Sequence, residues 1–491
     1  MSFLSNNVEP MQLDAVEDIE LFEANEIPNA SVNDVLDRSV ESAPFEVESY
    51  AAQYSGFAKL SRLLYIADHC PPLQIEALEQ ALKYVKESTY NVNAYTTIQQ
   101  KLVNALTASG QTAKAEQYPL DTVWIDEKSK MSQIYFEKLD TDLKNYKTNS
   151  IKESIRRGHD DLGAHYLQCG DLSNALKCYS RSRDYCMGDQ QLFNICMNII
   201  KVSIYQKSWG HVNSFAQKAE SSPECSANST AQTKISCIVG LHELVTKRYK
   251  YAAKRFMSAN IDDLGPDFSD ILSPNNVAIY GGLCALASLD RSDLHKHVFL
   301  SPNFKLFLEL EPQLREAIHK FYESKYPVCL SLLDELKDSF MLDMYLAPHL
   351  TALYSKIRNR ALIQYFSPYL SADLRLMATA FNTSLHDLEN ELMKLILDGQ
   401  IKARIDSHNK ILYAKDSDQR LETFEKSLAM GREWQMRATS LILRAACVRN
   451  GLIFIKAGPN NASSKAAEEA PSSAGNNVAA CSPSSPNKPR V

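Results

Sequence analysis

Between Ile155 and Ser182, Leu162-Gly163, Tyr166, Ala175, Tyr179 and Ser182 fall at the spacings of a tetratricopeptide-type helix pair. Small side chains at Gly163 and Ala175 let two helices approach closely. Tyr166 and Tyr179 fill the space around that approach, and Gly170-Asp171 supplies the turn between the helices. One such pair cannot bury its apolar face alone, so it requires neighbours of the same design. The second-helix signature, apolar then small then apolar at steps of three and four, recurs as Leu172/Ala175/Tyr179, Val212/Phe215/Ala219, Tyr249/Ala252/Phe256 and Tyr326/Cys329/Leu333. The intervals are 40, 37 and 77 residues, the last with room for two repeats, and Phe215 takes the place of the small residue in the second copy. The pattern predicts a degenerate helical solenoid over residues 50–343 in which each pair packs against its neighbours; an unrelated helical bundle with chance spacing is the alternative.

After Asp343 the texture changes. A helix from about Leu353 to Phe366 ends before Pro368, and Ser371 opens a short helix through Phe381. Asn382-Thr383-Ser384 caps a third helix from Leu385 to Asp398, stopped by Gly399. Ile401, Ala403 and Ile405 then alternate with Lys402 and Arg404, residues 407–410 turn, and Ile411 to Ala414 returns as a second strand. Three helices and a hairpin over residues 344–416 predict a winged helix. The segment 417–456 holds a last helix, roughly Asp418 to Asn450, in which Trp434, Ala438, Leu441, Ala445 and Val448 form an apolar seam at steps of four and three. That seam needs a cover, either its own domain or a bundle of helices from other chains. The predicted fold class is therefore all-α with a small β hairpin: a tetratricopeptide-like solenoid, a winged helix and a long C-terminal helix.

The two ends read differently. Residues 1–49 carry twelve Asp or Glu against the single Arg38, so a chain of net charge -6 has a remainder of about +5. Such an acidic stretch buries too little apolar surface to offset the entropy of ordering and reads as a disordered, solvated arm. Residues 457–491, rich in Ala, Ser, Asn and Pro, read as a disordered tail, with Ser482 and Ser485, each before Pro, as candidate phosphorylation sites. The eleven cysteines show no C-x-x-C pair, which predicts reduced thiols inside the cell and no structural zinc. The longest apolar stretch, Val277 to Leu289, is too short for the roughly 20 residues of a bilayer span, so a soluble chain without a membrane partner is expected.

Three constellations invite chemistry. His295-Lys296-His297 resembles the H-x-H of zinc proteases that cleave ubiquitin-like modifiers, but Lys305 and Leu308 stand where a Ser and an Asp are needed, so a polar loop between helices is expected. His159-Asp160-Asp161 with His165 offers four possible ligands at steps that do not share a helix face, which predicts helix surface and capping. A winged helix suggests nucleic acid, yet the 385–398 helix carries Asp387, Glu389, Glu391 and Asp398 against Lys394, the wrong sign for phosphate. Lys402, Arg404, Lys410 and Lys415 on the hairpin leave only weak phosphate contact open. With no phosphate loop, dinucleotide fingerprint or G-x-S-x-G, the chain is expected to be no enzyme, with no catalytic, cofactor or metal residues.

The stretches KLDTDLKNYKTNSIKESIRRGHDDLG, LSPNNVAIYGGLCALA, NFKLFLELEP, FYESKY, LDMYLAPH, IRNRALIQYFSPY and DSHNKILYA resemble the subunit-one family of the COP-nine (constitutive photomorphogenesis) signalosome, across roughly residues 50 to 450. That PCI-domain family is related to scaffold subunits of the proteasome lid. The resemblance implies a PCI module over about residues 260–416, a winged helix aligned edge to edge with those of sister subunits, and a final helix joined to a bundle of theirs. It also implies a non-catalytic scaffold that supports removal of the ubiquitin-like modifier NEDD from cullins, with the zinc protease on a different subunit. Cullin-RING ubiquitin ligases would be reached through the complex, in cytoplasm and nucleus. A proteasome-lid scaffold and a winged-helix nucleic-acid adaptor are the competing readings.

Overall fold

The computed structural model describes residues 46–111, 114, 116, 118–415 and 419–450. It divides into two units, residues 1–414 and 415–491. The arm up to residue 45, the tail with Ser482 and Ser485, and the 451–456 end of the last predicted segment lie outside the described residues.

Helices α1 (Val47–Ala52), α2 (Gly56–His69), α3 (Gln74–Ser88) and α4 (Val92–Ala108) open the first unit. Helix α1 begins inside the stretch read as an acidic arm, because Val47 and Ala51 have apolar neighbours to bury against. Helices α5 (Thr122–Thr148), α6 (Lys152–Cys169), α7 (Leu172–Arg183), α8 (Asp189–Tyr205) and α9 (Trp209–Glu220) follow. After them come α10 (Pro223–Ala227), α11 (Ser229–Val245) and α12 (Tyr249–Met257). Helices α13 (Pro274–Ser288), α14 (Arg291–Leu294), α15 (Pro302–Glu309), α16 (Pro312–Tyr322) and α17 (Tyr326–Met341) complete the repeats.

Four turns between paired helices share one hydrogen-bond pattern. At the first, the Gly170 N–H donates to the Leu167 carbonyl (3.1 Å) and the Asp171 N–H to that of Tyr166 (2.9 Å). The same two bonds recur at Lys207 and Ser208, Lys247 and Arg248, and Ser324 and Lys325. Gly170, Lys207, Lys247 and Ser324 all take the left-handed conformation (φ 84°, 59°, 63° and 63°), which closes each first helix in a Schellman-type cap. Each second helix then starts two residues later, at Leu172, Trp209, Tyr249 and Tyr326. This fixes the register. The second copy is Trp209/Val212/Ala216, three residues from the Val212/Phe215/Ala219 read from the sequence, and Phe215 is only half-buried beside it. In the corrected register the middle residues Ala175, Val212, Ala252 and Cys329 are all fully buried.

Packing also departs from a solenoid whose pairs touch only their neighbours. The α2 residue Arg62, 2% exposed, donates to Asp343 Oδ2 at 2.8 Å across a sequence separation of 281. Tyr280 on α13 donates to Asp343 Oδ1 (2.7 Å), and the backbone N–H groups of Tyr345 and Leu346 satisfy the same oxygen (2.9 and 3.2 Å). Tyr54 meanwhile donates to Asn276 on α13 (2.9 Å). The first helices therefore pack against the end of the repeat region, and one apolar core runs from Val47 to Leu412. Helix α13, inside this core, buries Gly281 and Gly282 so closely that an added methyl would sit 2.8 Å from the Phe304 ring and 2.9 Å from Leu314.

The winged helix comprises α18 (Ala347–Phe366), β1 (Ser371–Asp373), α19 (Leu374–Ala380), α20 (Leu385–Leu397), β2 (Ala403–Asp406) and β3 (Ile411–Ala414). Its sheet has three strands in the order β1-β3-β2, with Ala372 opposite Leu412 and Arg404 opposite Tyr413. Residues 371–373, predicted to open a helix, form the extra strand instead. Asp373 caps α19 only afterwards, its side chain accepting from the Arg375 N–H at 2.8 Å. Ser384 caps α20, accepting from the Asp387 N–H at 3.2 Å. The described residues of the second unit form one helix, α21 (Gln419–Arg449).

Candidate interaction surfaces

The repeat residues named from sequence meet in two small cores. Leu162 lies with Leu139, Leu143, Ile155 and Cys178, while Ala175 and Tyr179 lie with Ile195, Ile199 and Val202, and half-buried Tyr166 touches both. A methyl at Gly163 would sit 2.9 Å from the Tyr179 ring, so this glycine makes room for an aromatic face. Tyr249, Ala252 and Phe256 are buried in the main core, where the Phe256 ring fits against Gly240.

On α21 the seam is open. Trp434 is 73% and Leu441 71% exposed, Ala445 and Val448 are exposed, and Ala438 is half-buried. A second apolar stripe escaped the sequence reading: Leu421, Phe424 and Leu428 at steps of three and four, continued by Ile442 and Leu443, all exposed. Their spacing carried the signal. Apolar stripes left exposed along a helix mark a surface for other helices to cover.

The constellations weighed for chemistry take other roles. Residues His295–Phe299 are no loop but continue α14 as a single π turn, because the His295 ring stacks on Tyr322 (5.8 Å) and Phe299 packs against His319. His159 and His165, expected on a helix surface, are 2% and 3% exposed. Burial pushes His159 down to about 4 and lowers His165, which keeps both neutral at physiological pH. Asp160 accepts from the Ser182 hydroxyl (2.6 Å) and pairs with Arg156, joining α6 to α7. Among the described residues no group of three His, Cys, Asp or Glu is placed to hold a metal.

The acids of α20 are tied up within the domain. Glu391 pairs with Arg358 on α18 (2.9 Å), and Glu389 holds Lys410 on the hairpin (2.8 Å). Arg404 and Lys415 remain exposed, alongside the large apolar side chains of Leu370, Leu376 and Leu397. Among the described residues no helix is long and apolar enough to cross a membrane.

Stacked helix pairs, a three-stranded winged helix and a helix with two open apolar stripes define a class: a scaffold-type subunit built on helical repeats and a PCI domain. Family descriptions agree. The description "26S proteasome subunit RPN7" matches residues 121–297, "PCI domain" matches 333–416, and "COP9 signalosome complex subunit 1, C-terminal helix" matches 419–446. The chain is 50% identical to COP9 signalosome complex subunit 1b of Drosophila melanogaster, over 91% of this chain and 92% of the relative. It is 43% identical to COP9 signalosome complex subunit 1 of Arabidopsis thaliana, over 84% and 91%. Identity falls to 23%, over 61% and 74%, with 26S proteasome non-ATPase regulatory subunit 6 of Caenorhabditis elegans. The chain belongs to the COP9 signalosome subunit 1 family.

Proposed function

We propose that this chain is a non-catalytic scaffold of the signalosome, supporting removal of NEDD from cullins by a zinc protease carried on another subunit. The open apolar stripes of α21, in the segment that matches the family's C-terminal helix, carry this reading. Trp434, Ala438, Leu441, Ala445 and Val448 form one docking seam for helices of sister subunits, while the winged helix aligns with theirs. The repeats over 50–343, with Leu162, Gly163, Tyr166, Ala175 and Tyr179 among their packing residues, hold those contacts at fixed separations. The mechanism is therefore geometric: the chain positions a cullin-RING ligase and the protease, so catalysis depends on it without passing through it. We place it in cytoplasm and nucleus, with the PCI module, bundle helix and tail bounded as read from sequence and the arm ending before α1 at Val47.

Mass spectrometry of a gentle pull-down tests this. Other PCI subunits and the zinc protease of the signalosome should dominate, and metal analysis of the isolated chain should give zinc far below one equivalent. Recovery of proteasome-lid subunits in their place, or stoichiometric zinc, would overturn the reading.

A further inference from the structure

Three segments of the first unit, residues 190–219, 244–261 and 344–372, contain eleven Lys or Arg and not one Asp or Glu. The fold brings them together. Trp209 and Tyr345 rings meet at 6.1 Å, Tyr249 Oη lies 3.4 Å from His349 Nδ1, and Lys356 Nζ stands 4.4 Å from the centre of the Tyr249 ring. Acids from flanking elements satisfy part of the charge: Asp270 pairs with Lys201, Glu243 with Arg248, Glu220 with Arg255, Glu391 with Arg358 and Asp290 with Arg360. Lys218 lies over the Phe215 ring at 4.7 Å. The rest, Lys207, Lys247, Lys250, Lys254 and Lys356, are exposed and have no acidic partner among the described residues.

Helix ends account for only part of this edge. Lys207 and Lys247 close α8 and α11, and Lys254 stands in the last turn of α12, where a cation suits the negative end of the helix dipole. Lys250 sits in the first turn of α12, where the dipole opposes it, and four residues from Lys254, a like-charge spacing that repels. Lys356 lies in the middle of α18. It approaches the Tyr249–His349 contact, as does Lys247, and burial first and Lys247 second keep that imidazole neutral. Like charges crowded in this way are relieved by an anion, and their spread selects which one. Cations on two turns, on α12 and on α18 are too dispersed for a single phosphate, and lysine lacks the bidentate fork of arginine. Single-stranded nucleic acid is held by stacked rings as well as by charge, whereas on α12 only Tyr251 is an exposed ring. A long polyanion would also be repelled by a chain of net charge -6. A short extended peptide, advancing about 3.3 Å per residue, spreads carboxylates over such an edge without that repulsion.

We propose that this edge docks an extended Asp- and Glu-rich segment of a partner protein, whose carboxylates pair with Lys207, Lys247, Lys250, Lys254 and Lys356. The test uses the full chain and a fluorescein-labelled peptide of about ten glutamates, followed by fluorescence anisotropy. Binding is expected in about 0.05 M salt and should weaken at least tenfold in about 0.3 M, as the screening length shrinks from roughly 14 to 6 Å. The K247E/K250E/K254E variant should bind at least tenfold more weakly at an unchanged melting temperature. K130E/K138E/K144E reverses exposed lysines of α5 and alters net charge equally, yet should bind within twofold of the parent. Carbodiimide coupling of the bound peptide, mapped by mass spectrometry, should mark the five lysines of the edge. Absence of binding, equal loss in the two variants, or coupling centred on α5 overturns the proposal. Tighter binding of a random single-stranded oligonucleotide of matched charge, lost in K247E/K250E/K254E, would assign the edge to nucleic acid and overturn it too. So would a parent chain that sediments as a dimer and is made monomeric by the same variant, since a second copy would then be the occupant.

Discussion

Arg62 and Asp343 are taken almost fully out of water, and the site holds together because both terminal guanidinium nitrogens and both carboxylate oxygens find partners, while Arg62 Nε is buried without one among the described residues. Burial opposes the Arg62 charge, but Asp343 and the surrounding tyrosine oxygens outweigh it and hold the guanidinium protonated. Removing one partner leaves the other charge uncompensated, so Asp343→Ala should lower stability by about 3–5 kcal/mol in urea unfolding. Arg62→Met combined with Asp343→Asn should recover more than half of that loss; a double variant as weak as the single would refute the electrostatic account. His349 gives a pH signature. Burial pushes its imidazole down to about 4, so the folded chain keeps it neutral where the unfolded chain, with a pKa near 6.5, binds a proton. The contribution is complete above pH 6.5 and fades as pH falls toward 4, by a few kcal/mol at most. His349→Gln should flatten the decline in urea midpoint between pH 6.5 and 5, and an unaltered slope would assign the acid sensitivity elsewhere. None of this was legible in the sequence, where residue type gave no sign that Arg62, His159 and His349 point inward.

The repeats show what a sequence pattern can and cannot fix at the level of elements. Helix pairs were readable because small residues recur opposite large ones. The register of the second copy was not, because the turn before it is closed by Lys207 and Val212 stands where other copies have Ala or Cys. A left-handed lysine carries no compositional mark, whereas Gly170 announces its turn. Strand β1 was invisible for a related reason: three residues, Ser-Ala-Asp, are too few to display an alternation, and only pairing with β3 makes them a strand. Gly163 tests the packing of the first pair. Gly163→Val pushes a branched side chain into a ring already within contact distance, and overpacking of this kind costs about 1–3 kcal/mol. Adding Tyr179→Leu should restore part of that stability, because the smaller side chain vacates the space. If Gly163→Val melts at the parent temperature, the close approach does not govern this pair.

At the scale of the molecule, the chain places its exposed apolar surface outside its main core. The first unit closes on itself through contacts between α2 and the segment from α13 to Tyr345, a long-range closure that no local pattern signals. The second unit leaves Leu441 71% exposed, although its seam was plain in the sequence as steps of four and three. This contrast separates stability from assembly. In the isolated chain Leu441→Asp changes a side chain already in water, so its unfolding midpoint should match the parent's. Inside a helical bundle the same carboxylate loses its solvation without a partner, a cost of several kcal/mol. The variant should therefore fold normally yet fall at least tenfold in co-migration with sister subunits on a sizing column, while Ser440→Asp, on the polar side of the helix, should co-migrate as the parent does. Equal loss in both variants would mean that the helix is packed on every side, and no loss in Leu441→Asp would mean that the seam faces water in the assembly too.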